Sequence, residues 1–123
     1  MDEYTPNEPI DAEAWMALDD AKKIELITAF HEQETDHPLP ENMDLHARIH
    51  CIVEDQVAAD EGVRGELERL VVDGLSRHNA LHALGNVALE HITAAQKEGR
   101  GLDDDAYRKG LAMIDAKTWG VQV

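Results

Sequence analysis

The chain has 123 residues, with 26 acidic and 11 basic side chains and a formal net charge of −15, a length that accommodates one domain rather than two. Apolar residues make up 43% and aromatics only 4%, which implies a core of Leu, Ile, Val and Ala suited to helix packing and argues against wholesale disorder. The basic residues form no dense cluster, so nucleic acid and anionic membrane surfaces are not expected partners.

In chain order, residues 1–10 carry Pro6 and Pro9 among polar groups and are expected to form a flexible acidic arm ahead of a single helical domain over residues 11–119. Asp11 is placed to cap a short helix carrying Trp15 and Leu18. Asp19 or Asp20 then caps a helix reaching about His31, in which Ile24, Ile27 and Phe30 recur at helical spacing. Thr35–Asn42, with Pro38 and Pro40, reads as a connection. A strong helix is predicted over Met43–Ala59, with Gly62 interrupting the pattern and a further helix over Val63–Leu75. Ser76 is a natural N-cap for a helix from Arg77 to about Lys97, and Gly99 is its natural C-terminal stop. Asp103 or Asp104 starts a last helix in which Tyr107, Leu111 and Ile114 align. No segment alternates with period two, so the fold class is all-α, a bundle of four to six helices.

The lone cysteine, Cys51, excludes an intramolecular disulfide and fits a reducing cytoplasm. On its helix it falls on the side away from the apolar stripe and reads as a passive surface or interface thiol. The opening residues lack an apolar stretch, so no signal peptide is expected, and no run approaches the length of a transmembrane helix.

The chemistry concentrates in a doubled His-x-x-x-His pattern. At about 100° per residue, His46 and His50 fall on the stripe shared by Val53 and Val57. On the later helix His78 and His82 fall on the stripe of Gly85 and Leu89. Both pairs therefore face inward. Residues four apart on a helix have Cβ atoms about 5–6 Å apart, so two imidazoles at that spacing can bind one ion. If the two helices face each other, four imidazoles converge on a tetrahedral metal such as zinc. Glu54, Glu90 and Glu25 are candidate flanking carboxylates. Gly85, one turn past His82, would let a neighbouring helix approach closely.

Other signals are weaker. His91 lies at the edge of its stripe. His31 and His37 flank a helix end and the proline connection. His31-Glu32 opens like a zincin motif, but Thr35 stands where its second histidine belongs. Glu34-Thr35-Asp36-His37 matches Glu-x-x-His once and runs into Pro38, whereas carboxylate-bridged di-iron bundles need that unit twice. There is no phosphate-binding glycine loop. Ser76, the only serine, serves better as a cap than as a nucleophile.

Leu45–Val57 and Arg77–Ile92 resemble the core of a small bacterial family known only as a domain of unknown function. The likeness spans about residues 13–115: a helix between Trp15 and His31, a proline-containing loop, a His-x-x-x-His helix carrying Asp55-Gln56, and a later helix reading Arg77-His78-x-x-x-His82-x-x-Gly85. The resemblance implies an all-helical fold and gives weight to the four histidines, and it brings no activity with it. It also implies Glu at position 79, completing a capping box with Ser76; Asn79 departs from that pattern.

Three functional expectations follow. The first is a small soluble protein whose inward cluster of His46, His50, His78 and His82 binds a divalent metal. The second is an interaction or regulatory module, as a homodimer or with a protein partner, whose histidines are only core. The third, a metal-dependent hydrolase, requires an open coordination position with a base such as Glu54 or Glu90 beside it.

Overall fold

The computed structural model describes residues 1–33 and 42–119. Among them are seven helices: α1 Ala12–Met16, α2 Asp20–Gln33, α3 Met43–Ala59, α4 Glu61–Val72, α5 Arg77–Glu98, α6 Asp104–Ala112 and α7 Ala116–Trp119. No described residue is in a strand, so the fold is all-α. The proline connection and the Glu34–His37 motif lie outside the described residues, apart from Asn42.

The acidic composition is used locally at the helix starts. Asp11 accepts from the Glu13 and Ala14 amides, Asp19 from Lys22, Asp60 from Gly62 and Val63, and Asp103 from Ala106. Each satisfies an amide that has no partner within the helix and places negative charge at the positive end of the helix dipole. Asn42 does the same for α3 and Ser76 for α5. The break expected at Gly62 falls two residues earlier. Asp60 is extended, at φ −123°, and caps α4 while closing α3, so Gly62 sits inside the first turn. Gly99, at φ +67°, stops α5 as anticipated. The short α7 was not anticipated, although Asp115 stands before it and accepts from the Lys117 amide.

α3 and α5 form the centre. α1, α2, α4 and α5 all pack on α3, and α6 packs on α4 and α5. An added Cβ at Gly85 of α5 would lie 2.9 Å from Ile49 Cγ2 of α3, so the glycine is what permits this crossing. One half of the core joins Val53, Val57, Leu67, Leu70, Leu84 and Leu111. The other gathers Tyr4, Trp15, Leu26, Ile27, Ala47 and Cys51.

Two expectations need correcting. Within the arm of residues 1–10, Tyr4 is 1% exposed and Pro6 is buried as well, with the Tyr4 ring packed 5.7 Å from that of Trp15. Cys51 is a buried thiol, 6% exposed, since α1 and α2 cover the side of α3 that a single-stripe reading leaves to solvent. Burial pushes its pKa up to about 11. On that covered side, Asp55 accepts from Trp15 Nε1 at 2.9 Å and from Lys23 Nζ at 2.8 Å. Gln56 accepts from the Tyr107 hydroxyl. The Asp55-Gln56 pair thus fastens α1 and α2 to one side of α3 and α6 to another. No helix among the described residues is long and apolar enough to cross a membrane.

Candidate metal centre

His46 and His50 come from α3, His78 and His82 from α5, and His31 from the last turn of α2. Their rings form one cluster. Neighbouring centroids are separated by 4.2 Å for His78–His82, 4.6 Å for His31–His46, 4.8 Å for His46–His50 and 5.0 Å for His50–His82. His31, His50 and His78 are 1%, 4% and 5% exposed; His46 and His82 are half-buried. Each of His31, His50, His78 and His82 offers a ring nitrogen within 4.8 Å of the others. Phe30 stands edge-on to His31 and to His78, at 5.3 and 5.4 Å, and forms an apolar wall.

Hydrogen bonds orient the rings. Nδ1 of His31 lies 2.8 Å from the Ile27 carbonyl. A carbonyl only accepts, so this nitrogen carries the proton and Nε2 of the neutral ring keeps its lone pair. That Nε2 is 3.0 Å from His46 Nε2. The Nε2 atoms of His50 and His82 are likewise 3.0 Å apart. Behind His50, the Tyr4 hydroxyl is 3.1 Å from Nδ1 and donates to Glu54 Oε2 at 2.7 Å. Arg77 grips both oxygens of Glu54, at 2.9 and 2.8 Å. The pair is out of water, with side-chain exposures of 11% and 1% for Arg77 and Glu54.

The electrostatics follow from burial. Desolvation, reinforced by the surrounding imidazoles, holds the His50 pKa well below its ordinary value. Desolvation, then the Glu54 charge, lifts the Tyr4 pKa well above the usual phenol value, so the hydroxyl keeps its proton.

The four histidines singled out from the sequence do meet. His31 was missed, although it falls between Ile24 and Ile27 around α2, on that helix's inward side. Glu54 flanks the cluster through Tyr4 and belongs to Arg77. Glu90 is exposed and stands eight residues past His82, about 12 Å along the helix. Glu25 is exposed too. His91 packs against Tyr107 at 5.8 Å, between α5 and α6, and His37 lies outside the described residues. A second group, Asp20, Cys51 and Asp55, already holds a cation, since Lys23 Nζ reaches Asp55 at 2.8 Å and Asp20 at 3.9 Å.

Fold and cluster together define an all-helical protein built around a knot of inward-facing histidines. The chain belongs to the DUF1841 family, a domain of unknown function whose family model matches residues 17–113. That span contains all five clustered histidines and leaves Tyr4 outside it. No curated protein and no solved structure matches the chain.

Proposed function

We propose that this protein is a helical metal-binding domain that holds one divalent transition ion, zinc in the first instance, among imidazoles of α2, α3 and α5. The observation that carries the reading is the convergence of ring nitrogens from His31, His50, His78 and His82 within 4.8 Å. His46 stands beside them as a fifth donor. Zinc binds imidazole nitrogen at about 2.0–2.1 Å, so two ligands of a tetrahedral ion lie about 3.3 Å apart. The 3.0 Å separation of His50 and His82 within that set, and that of His31 from the fifth donor His46, are close to this value. Imidazole donors also suit copper, iron and nickel. Of the two bases named for a hydrolase, Glu54 is held by Arg77 and Tyr4 and Glu90 is exposed. The proposal is therefore one of binding.

A second reading has its own support. The two Nε2–Nε2 contacts can each be a shared-proton hydrogen bond between neutral rings, which would make the histidines polar core. Elemental analysis of tag-free protein, followed by zinc titration, separates the two. The metal reading expects one equivalent of ion, bound by wild type and lost in His50→Ala. Absence of metal on purification together with no uptake on titration overturns it.

A further inference from the structure

We infer that residues 4–7 clamp the metal centre, with Tyr4 as the positioning residue that puts the His50 proton on Nδ1 and leaves the Nε2 lone pair for the other imidazoles. The inference rests on the metal reading for its effect on affinity. Its tautomer consequence stands without a metal.

The argument is one of proton counting. A tyrosine hydroxyl has a single proton to donate. Tyr4 gives it to Glu54 Oε2 at 2.7 Å, since a carboxylate can only accept. The hydroxyl oxygen is then left to accept, and its neighbour at 3.1 Å is His50 Nδ1. Nδ1 must therefore carry the proton, and the Nε2 lone pair points at the cluster, where His82 Nε2 lies 3.0 Å away. Arg77 holds both Glu54 oxygens and fixes the acceptor in place. The chain of bonds runs from His50 to Tyr4 to Glu54, with Arg77 behind.

The rest of the segment lands on the same positions. The Pro6 carbonyl accepts from Arg77 Nη1 at 3.0 Å. Asn7 Oδ1 accepts from the His78 amide at 3.0 Å, one of the first-turn donors of α5 that no helical carbonyl can reach. Three of four successive residues thus hold His50, Glu54, Arg77 and His78, which are ligands or the side chains that steady them. Outer partners of this kind set ring orientation and tautomer, and their loss costs about 10–100-fold in metal affinity.

Tyr4→Phe removes only the hydroxyl and keeps the ring contacts with Trp15 and Phe30, so the variant is expected to fold. Tyr107→Phe removes the hydroxyl of another buried tyrosine, bonded to Gln56 and remote from the clustered histidines, and serves as the control. Nitrogen NMR of the metal-free proteins should show His50 protonated on Nδ1 in wild type and in Tyr107→Phe, and as a tautomer mixture in Tyr4→Phe. Zinc titration should show Tyr4→Phe weakened by about 10–100-fold and Tyr107→Phe unchanged. Asn7→Ala should release zinc faster than wild type. An unchanged His50 tautomer in Tyr4→Phe, or unchanged zinc affinity, overturns the inference. If zinc binds none of the proteins, the metal reading and the clamp fall together, while the tautomer still decides whether Tyr4 positions His50.

Discussion

Nε2 of His31 lies 3.0 Å from Nε2 of His46, a contact that carries the cluster from two helices to three. His31 is anchored through its other nitrogen to the Ile27 carbonyl of α2, so the ring moves only with that helix. An ion held here pins α2, α3 and α5 to one another.

Removing such an ion should therefore loosen the whole bundle. Ligand binding stabilises by RT ln(1 + [L]/Kd), about 2.7 kcal/mol at a hundredfold excess over Kd. For a domain of this size that is a fall of roughly 10 °C in melting temperature. A strong chelator should lower the wild-type Tm by that order, and one equivalent of zinc should restore it. The His31→Ala/His82→Ala variant should start lower, through cavities and orphaned partners, and should not respond to chelator. A wild-type melting curve indifferent to both chelator and zinc leaves only the core reading standing.

Acid should destabilise the metal-free protein. The folded-state pKa of His50 is depressed, by burial first and by the neighbouring imidazoles second. The unfolded chain takes up that proton near 6.5. Below this pH the unfolded state binds more protons than the folded one, so stability falls as pH drops from about 6.5 toward the depressed value and is fully present above it. Urea midpoints measured in chelator should be level from about pH 8 to 7 and fall steadily from about pH 6.5 downward. A midpoint that rises on acidification contradicts the burial of a neutral His50.

Much of this architecture was legible from sequence, for identifiable reasons. α3 spans Met43–Ala59 as its periodicity predicted, and Ser76 caps α5 as its position predicted. The stripe containing His46, His50, His78 and His82 was legible because helical period alone fixes which residues share a face. What escaped depends on contacts that period does not encode. His31 shares the inward side of α2 with Ile24 and Ile27 but looked like a helix end beside a proline connection, and period alone does not say that α2 packs on α3 and brings it to the other histidines. Tyr4 meets His50 across 46 positions, from a segment with no pattern of its own. Cys51 was misplaced because a helical wheel allots one buried face, whereas α3 is covered by α1, α2, α4 and α5. Glu54 was singled out for its spacing from His50, and its partner Arg77 belongs to a different helix.

The Glu54–Arg77 pair should show the asymmetry of buried charges. Breaking such a pair by removing one member leaves the other charge uncompensated and costs about 3–5 kcal/mol, whereas replacing both members with apolar groups is far milder. Arg77→Met should destabilise by that amount in urea unfolding. Glu54→Leu/Arg77→Met should recover most of the loss, although the Tyr4 hydroxyl then lacks its acceptor and holds recovery short of wild type. Equal losses in the single and double variants would show that the charges are hydrated rather than buried.

Gly85 gives a test whose sign reverses with its neighbour. Alanine is the better helix former by about 0.8–1.0 kcal/mol, so on propensity alone Gly85→Ala would stabilise α5. The new methyl, however, meets Ile49 Cγ2 at 2.9 Å, an atom fixed one bond from the α3 branch point. Overpacking of that kind costs about 1–3 kcal/mol, which exceeds the gain in helix propensity. Gly85→Ala should therefore lose about 1 kcal/mol in wild type, and by pushing α3 from α5 it should also weaken zinc binding at His50 and His82. In an Ile49→Ala background the obstruction is gone and the same substitution should stabilise. A double-mutant cycle in urea measures both arms. If Gly85→Ala stabilises with Ile49 in place, α3 and α5 cross less closely than the 2.9 Å approach requires, and their histidines do not meet at that crossing.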